Sequence, residues 1–340
     1  MFTPQIVRPA TSSDVARAAG VSRATVSLVL NNHENARIPE DTRIRVREAA
    51  RHLGYVPNNA ARALKASANT GWVLDTRQVD PDGVFARAID LVGGEASDNG
   101  EDVFRDVDAT TLGTDAASSW ARIRPAAVLA SAGRCTPEAT EFLRSAGVRA
   151  LLVYGSEQVD YAPTVVLPQR EYGRCAIDFL QHARHRRILC VMPAAAEHKK
   201  DVAERLGGVR DDAADDTTVT VQYAESSSAS LRDWAHSWRY AADPPTAVIC
   251  YDDRHARATI RALHDAGVRC PQDVAVLGAQ DMPFAAEHIP SITSVTFSPD
   301  VMAERISDAL NSMLSGERIE RIDSPPLHIV QRESTQQRTS

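Results

Sequence analysis

The run SSDVARAAGVSRATVSLVL, Ser12 to Leu30, reads as two short helices joined by a tight turn. Thr11 caps the first, and Asp14 stands three residues on in the position of a capping box. Val15, Ala18 and Ala19 recur at helical spacing and predict its inward face. Gly20 ends it, because glycine enters a left-handed conformation at little steric cost. Ser22 caps the second helix, with Val26, Val29 and Leu30 inward and Arg23, Ala24, Ser27 and Leu28 outward. A short capped helix that presents small and polar residues after a glycine turn has the build of a helix-turn-helix reader. Helix pairs are common, so the pair alone also fits one hairpin of an ordinary domain.

The chain beyond it narrows the choice. PEDTRIRVREAARHL, Pro39 to Leu53, predicts a third helix with Val46, Ala49, Ala50 and Leu53 on one face. Pro39 suits its first turn and Gly54 its end. Tyr55 completes a small core, and GYVPNNAARALKAS follows from Gly54 to Ser67. Taken together, DVARAAGVSRATVSLVLN, IPEDTRIRV and LGYVPNNAARAL resemble the lactose-repressor (LacI/GalR) family of bacterial transcription regulators. Several fixed spacings match over about 55 residues.

That resemblance implies a DNA-binding headpiece over 1–57 and a hinge over 58–69. Hinges of this family fold on double-stranded operator DNA, pair across a homodimer and push a leucine into the minor groove. Leu64 stands at the leucine position, and an apolar wedge between base steps is a known way to kink a duplex. Read without the resemblance, the segment is a plain linker. The expected DNA-facing set is Thr11, Ser22, Arg23, Ala24, Thr25, Ser27, Leu28 and Asn31, with Asn59, Ala61, Arg62 and Leu64 in the hinge. Arg23 is the candidate for a guanine edge, since arginine pairs bidentately with O6 and N7. Leu28 stands where the family often has a base-reading arginine and is left with an apolar contact.

Charge agrees with a nucleic-acid module on a different body. The net charge is −7, yet residues 1–65 hold ten Lys and Arg against five Asp and Glu, and the remainder 28 against 40. A basic head on an acidic body suits phosphate binding confined to one end. No apolar run is long enough to span a bilayer, and MFTPQIVRPATSS lacks the character of a signal peptide. A cytoplasmic location is expected. The five cysteines, Cys135, Cys175, Cys190, Cys250 and Cys270, are scattered with no C-x-x-C pair. They read as reduced core thiols.

From Gly71 the period changes. Short apolar runs at 71–76, 101–106, 126–131, 149–156, 186–193, 218–225, 246–253 and 273–281 alternate with helical patterns. Those patterns lie at 84–99, 114–123, 137–146, 170–184, 199–213, 229–241, 254–266 and 300–315. Alternation of this kind means parallel sheets covered on both faces, and the number of units calls for two sheets. HRRILCVMP, AERLGGVRDDAAD and PPTAVICYDDRHARATIRALHDAGVRCPQDVAVLGAQD resemble the family's effector domain, as do ITSVTFSPDVMAERISDALNSMLSGE and LHIVQRES. The resemblance implies a two-lobed α/β fold similar to periplasmic sugar-binding proteins over 70–340, with three crossings between lobes. Lobe one would take about 70–167 and 296–325, lobe two about 168–294 and 327–334.

There is no Walker loop, G-x-S-x-G, H-E-x-x-H or dinucleotide fingerprint, so neither an enzyme nor a cofactor is expected. Gly93-Gly94 and Gly207-Gly208 lie in helical stretches. His182 and His185 in QHARHRR read as a solvated helix end, and Trp234 and Trp238 as packing. Ligands of such sheets sit beyond the carboxyl ends of the strands, which here is the interlobe cleft. By resemblance, Arg205 in ERLGG takes the position of a ligand-contacting arginine. Asp252 stands where the family often has Asn, Gln280 where it has a sugar-binding Asp, and Pro168 where another Asp is usual. Of an Asn-Pro-Phe-Phe stretch only Phe85 is recognisable. Phe85, Arg205, Asp252 and Gln280 are the expected effector set, for a ligand that is sugar-like or a derivative. The whole reads as a sequence-specific, dimeric DNA-binding regulator. A ligand-independent DNA binder and a solute-binding protein are the alternatives.

Overall fold

The computed structural model describes residues 11–30, 38–53, 71–77, 79–106 and 110–336. The chain divides into two units, Met1–Thr70 and Gly71–Ser340. In the first, α1 spans Ser12–Ala19, α2 Arg23–Leu30 and α3 Glu40–His52. The Thr11 hydroxyl accepts from the Asp14 amide at 3.4 Å, and the Asp14 carboxylate accepts from the Thr11 amide at 2.9 Å. The capping box is therefore reciprocal. Gly20 follows at φ +67°, and the Ser22 hydroxyl accepts from the Thr25 amide at 3.1 Å to start α2.

Val15, Ala16, Ala19, Val26, Val29, Val46 and Ala50 form the core of this unit. Two expected core positions differ. Ala16 is buried and Ala18 exposed, because α1 packs against both α2 and α3, which turns its buried stripe. Leu53 lies past the end of α3 and is 41% exposed. Tyr55, Asn31, Asn59, Ala61, Arg62, Leu64 and the rest of 58–69 lie outside the described residues.

The second unit starts with β1 (Trp72–Asp75), α4 (Val84–Asp98), β2 (Val103–Asp106), α5 (Gly113–Ala121), β3 (Ala127–Ser131) and α6 (Pro137–Ser145). β4 (Ala150–Gly155), β5 (Thr164–Val166) and α7 (Gln169–His182) follow. Next come β6 (Arg187–Met192), α8 (Lys199–Asp211), β7 (Thr218–Tyr223), α9 (Ser228–Trp238), β8 (Ala247–Cys250) and α10 (Asp253–Asp265). The chain closes with β9 (Ala275–Ala279), α11 (Phe284–Glu287), β10 (Thr293–Thr296), α12 (Pro299–Leu314), β11 (Arg321–Asp323) and β12 (His328–Val330).

Two six-stranded sheets result, in the orders β11-β5-β4-β3-β1-β2 and β12-β10-β9-β8-β6-β7. All pairings are parallel except β10 with β12. The chain leaves the first sheet after β5, returns after β10 through α12, which packs on α4 and β4, and leaves again after β11. The central strands β1, β3, β8 and β9 are buried throughout, as parallel strands between two helical layers must be.

Four short strands, β5, β10, β11 and β12, come in addition to the runs expected from the sequence. Strands of three or four residues are too short to show a period. β10 reads TSVT, and its polar residues are buried but satisfied. Thr293 donates to the Arg332 carbonyl at 3.0 Å and Ser294 to Asp253 at 2.8 Å.

His185 is a correction: it is buried, with Nδ1 3.1 Å from the Thr246 hydroxyl, because Arg184 at φ +65° ends the helix and turns the chain into β6. Burial holds its pKa below the usual histidine value. His182 remains exposed. Trp234 and Trp238 pack against the second lobe's core. The five cysteines are unbonded, and Cys135, Cys190 and Cys250 are buried.

Candidate nucleic-acid interface and ligand cleft

On α2, Val26 and Val29 are buried and hold the helix to its core, while Ser22, Arg23, Ala24, Ser27 and Leu28 are exposed. Thr25 and Thr11 are half-buried and spend their hydroxyls at helix caps. One face of α2 is thus fixed and the opposite face presents one guanidinium, two small side chains and one leucine. That is the chemistry of direct readout in a groove: a bidentate donor flanked by residues that allow close approach.

In the second unit α8 and the carboxyl ends of β8 and β9 carry the expected effector residues of lobe two. Arg205 on α8 is 1% exposed. Its Nε donates to the Gln169 side-chain oxygen at 3.0 Å, and a terminal nitrogen donates to the Tyr251 carbonyl. Its guanidinium lies 4.6 Å from the Tyr172 ring centre and 4.4 Å from that of Tyr251. Among the described residues no carboxylate pairs with it.

Asp252 lies past the end of β8 and caps α10, so the strand is shorter than its apolar run. One carboxylate oxygen accepts from the His255 amide at 2.8 Å and from Nδ1 of the same histidine at 2.6 Å. The other accepts from Arg254 at 3.2 Å. Burial alone would raise this carboxyl, but the His255 contacts and the Arg254 charge overcome it and bring the pKa down to about 2. Asp253 beside it goes the other way. Burial dominates, the Met282 amide and Ser294 hydroxyl offset it only in part, and neighbouring Asp252 and Asp281 add repulsion, so it is pushed up to about 7.

The two lobes meet through side chains. Arg254 donates to Asp80, from the loop after β1, as well as to Asp252. Lys200 on α8 pairs with Glu157, just past β4, at 2.6 Å. Gln280 follows β9 at φ +84°, and its side-chain oxygen occupies the space a Cβ on Gly83 would need. Phe85, two residues further on, is buried against Tyr154 with ring centres 5.1 Å apart. Gln280 and Phe85 therefore stand on opposite sides of the seam, and Arg205 and Asp252 are joined through Tyr251. Pro168 is the residue before α7.

Lobe one adds a buried network at the ends of β1 and β2. Arg134 donates to Asp75 at 2.6 Å and pairs with Asp106 at 2.9 Å, and Trp120 donates to Asp106 at 2.7 Å. Sequence reading missed Tyr172, Tyr251, Arg254, His255, Gln169 and Asp80. Tyr251 and His255 flank Asp252 in YDDRH and could have been found by scanning around it. Asp80 lies 174 residues from its partner Arg254, and no local signal points to it.

A helix-turn-helix unit followed along the chain by a two-lobed α/β body defines a class, the DNA-binding transcription regulator with an effector domain. The headpiece, residues 11–58, matches the description of bacterial regulatory proteins of the lacI family, and residues 177–335 match a periplasmic binding protein-like domain. The regulator CelR of Thermobifida fusca is 30% identical over 91% of this chain and 93% of its own length. The repressor PurR of Pectobacterium carotovorum is 28% identical over 84% of this chain and 85% of its own. A solved CelR–cellobiose complex covers 96% of this chain and 99% of its own, at a TM-score of 0.61 and 26% identity. The lac repressor dimer bound to operator and the anti-inducer ONPF has the same coverage, with a TM-score of 0.70 and 19% identity, and shares the fold. This chain belongs to the lacI family of transcription regulators. It is a DNA-binding regulator and not an enzyme.

Proposed function

We propose that the chain acts as a cytoplasmic homodimeric repressor of a near-palindromic operator. Residues 1–57 would read DNA, 58–69 would form the hinge, and 70–340 would dimerise and take a small-molecule effector. The observation that carries this reading is the outward face of α2, where Arg23, Ala24, Ser27 and Leu28 stand exposed on a helix anchored by Val26 and Val29. Two such heads related by a two-fold axis require two half-sites about one DNA turn apart or a multiple of it. Asn31 would extend the reading face, and Asn59, Ala61, Arg62 and Leu64 would act in the minor groove. A ligand among Phe85, Arg205, Asp252 and Gln280 would shift the lobe angle and so bias DNA affinity. The lac repressor dimer with operator and anti-inducer supports this by likeness of fold.

A second reading, regulation without a ligand, is favoured by the seam itself. Asp80–Arg254, Glu157–Lys200 and Gln280 against Gly83 join the lobes through the protein's own groups. Genome-wide mapping of bound sites, with sedimentation of the chain on a recovered site, tests the main reading. A motif with two-fold symmetry bound by two chains is the expected result. Sites that share no such symmetry, or a single chain on DNA, would overturn it.

A further inference from the structure

We propose that the cleft takes a small organic anion, a polyol-sized body carrying a carboxylate or phosphate, held by Arg205 and Tyr172 with a hydroxyl on His255. This rests on the cleft being the ligand site, as read above. It follows from which polar atoms are already engaged. The acceptors are committed: Asp252 to His255 and Arg254, Asp253 to the Met282 amide and Ser294 hydroxyl, Asp80 to Arg254 and to the Asp82 amide at 3.2 Å, and Gln169 to Arg205.

The donors are not. The Tyr172 hydroxyl, Arg254 Nε and His255 Nε2 are buried with no hydrogen-bond partner among the described residues. Tyr172 and His255 are more than nine-tenths buried. A continuous run of contacts links them, for Arg205 stacks on Tyr172 and Tyr251, the Tyr251 and His255 ring centres are 6.0 Å apart, and Arg254 and His255 share Asp252. Arg205 meets only an amide oxygen and a carbonyl.

Buried groups without partners carry a free-energy cost that a fitting ligand relieves. A neutral sugar offers hydroxyl hydrogens that need acceptors, and the cleft's carboxylates are engaged. A carboxylate or phosphate offers acceptor oxygens, and charge-assisted bonds from arginine and tyrosine are the stronger kind. Asp252, ionised, accepts from His255 Nδ1. That leaves Nε2, which has no partner among the described residues, for one hydroxyl of the same ligand.

The test is calorimetric titration of the full chain with matched probes: glucose, gluconate and glucose 6-phosphate, with cellobiose as a neutral disaccharide and inorganic phosphate as a bare anion. At least one of gluconate and glucose 6-phosphate is expected to bind ten-fold or more tightly than glucose and cellobiose, and the two arms separate carboxylate from phosphate. Tyr172→Phe removes only the unpartnered hydroxyl. It should weaken the anion about ten-fold and leave the melting temperature of the free protein unchanged or higher. Neutral probes that bind as tightly as their anionic twins would overturn the proposal. So would no binding by any probe, tightest binding by bare phosphate, or undiminished binding by Tyr172→Phe. Operator titration of the same preparation keeps the two readings apart. DNA binding without anion binding removes this inference alone, and anion binding without DNA binding removes only the regulator reading.

Discussion

Gly208 on α8 lies directly against the main-chain carbonyl of Arg170 on α7, in space that any Cβ would occupy. Gly173 faces the Arg205 carbonyl in the same way from the other helix. The two helices thus meet backbone to backbone, and Arg205 is placed by that contact. Gly208→Ala should destabilise the chain by roughly 3 kcal/mol, since overpacking against backbone has no flexible side chain to yield. Gly94 on α4 has open space around it. There the same substitution should stabilise by about 0.5–1 kcal/mol through helix propensity. Thermal melts of both variants check this, and equal shifts in the same direction would contradict it.

Arg23→Ala should cost about 1–3 kcal/mol on the specific operator and little on random DNA, as loss of a bidentate base contact does. Titrations of both duplexes at one salt concentration decide it. An equal loss on each would make Arg23 a phosphate contact.

Replacing Thr11 by Ala should weaken the headpiece by about 1 kcal/mol, the usual effect of removing a capping side chain. Two of the bonds it makes with Asp14 would vanish at once. Amide exchange in α1 of the full chain should quicken, while amides of β3 and β8 keep their rates.

Asp253 sets a pH dependence. Its folded pKa of about 7 lies above the ordinary carboxylate value of 3.8. Between these values the native state keeps a proton that the unfolded chain has released, so its contribution is present below pH 4 and is lost as pH rises to about 7. For a shift of this size the loss is on the order of 4 kcal/mol. Asp253→Asn cannot titrate, so the stability advantage of wild type over this variant should shrink from pH 4 to pH 7 and stay flat above. A constant difference in denaturant melts across that range would refute the assignment.

Asp80→Asn should loosen the lobes, because Arg254 bridges Asp80 and Asp252 across the seam. Arg254 is 36% exposed, so solvent screening limits the coupling in a double-mutant cycle with Arg254→Gln to about 1 kcal/mol. Small-angle scattering should show a larger radius of gyration for the variant, and for wild type in molar salt. An unchanged radius in both would show that the pair does not hold the seam.

The headpiece was legible because its signals are local. Caps at Thr11 and Ser22, the turn at Gly20 and valines at helical spacing all lie within a few residues of what they control. Parallel strands of the body were legible as apolar runs for the same reason. β5, β10, β11 and β12 were not, since their place depends on partners far along the chain. Gly207-Gly208 lies in a helical stretch, and the close approach that needs Gly208 comes from α7, well back along the chain. Resemblance pointed to Arg205 and Asp252, and Tyr251 and His255 stand beside Asp252 in the sequence, but Tyr172 emerges only when α7 meets α8 and places it against Arg205.

Three separate crossings join the lobes: after Val166, after Thr296 and after Asp323. One tether between two rigid bodies would permit twist, slide and swing alike. Three side by side act like the pins of a door and suppress all but a swing. Whatever enters the cleft can then be reported to the rest of the molecule only as an angle. Ligands of unlike shape that wedge the lobes equally far apart would be indistinguishable downstream. Selectivity must therefore reside wholly in what the cleft admits.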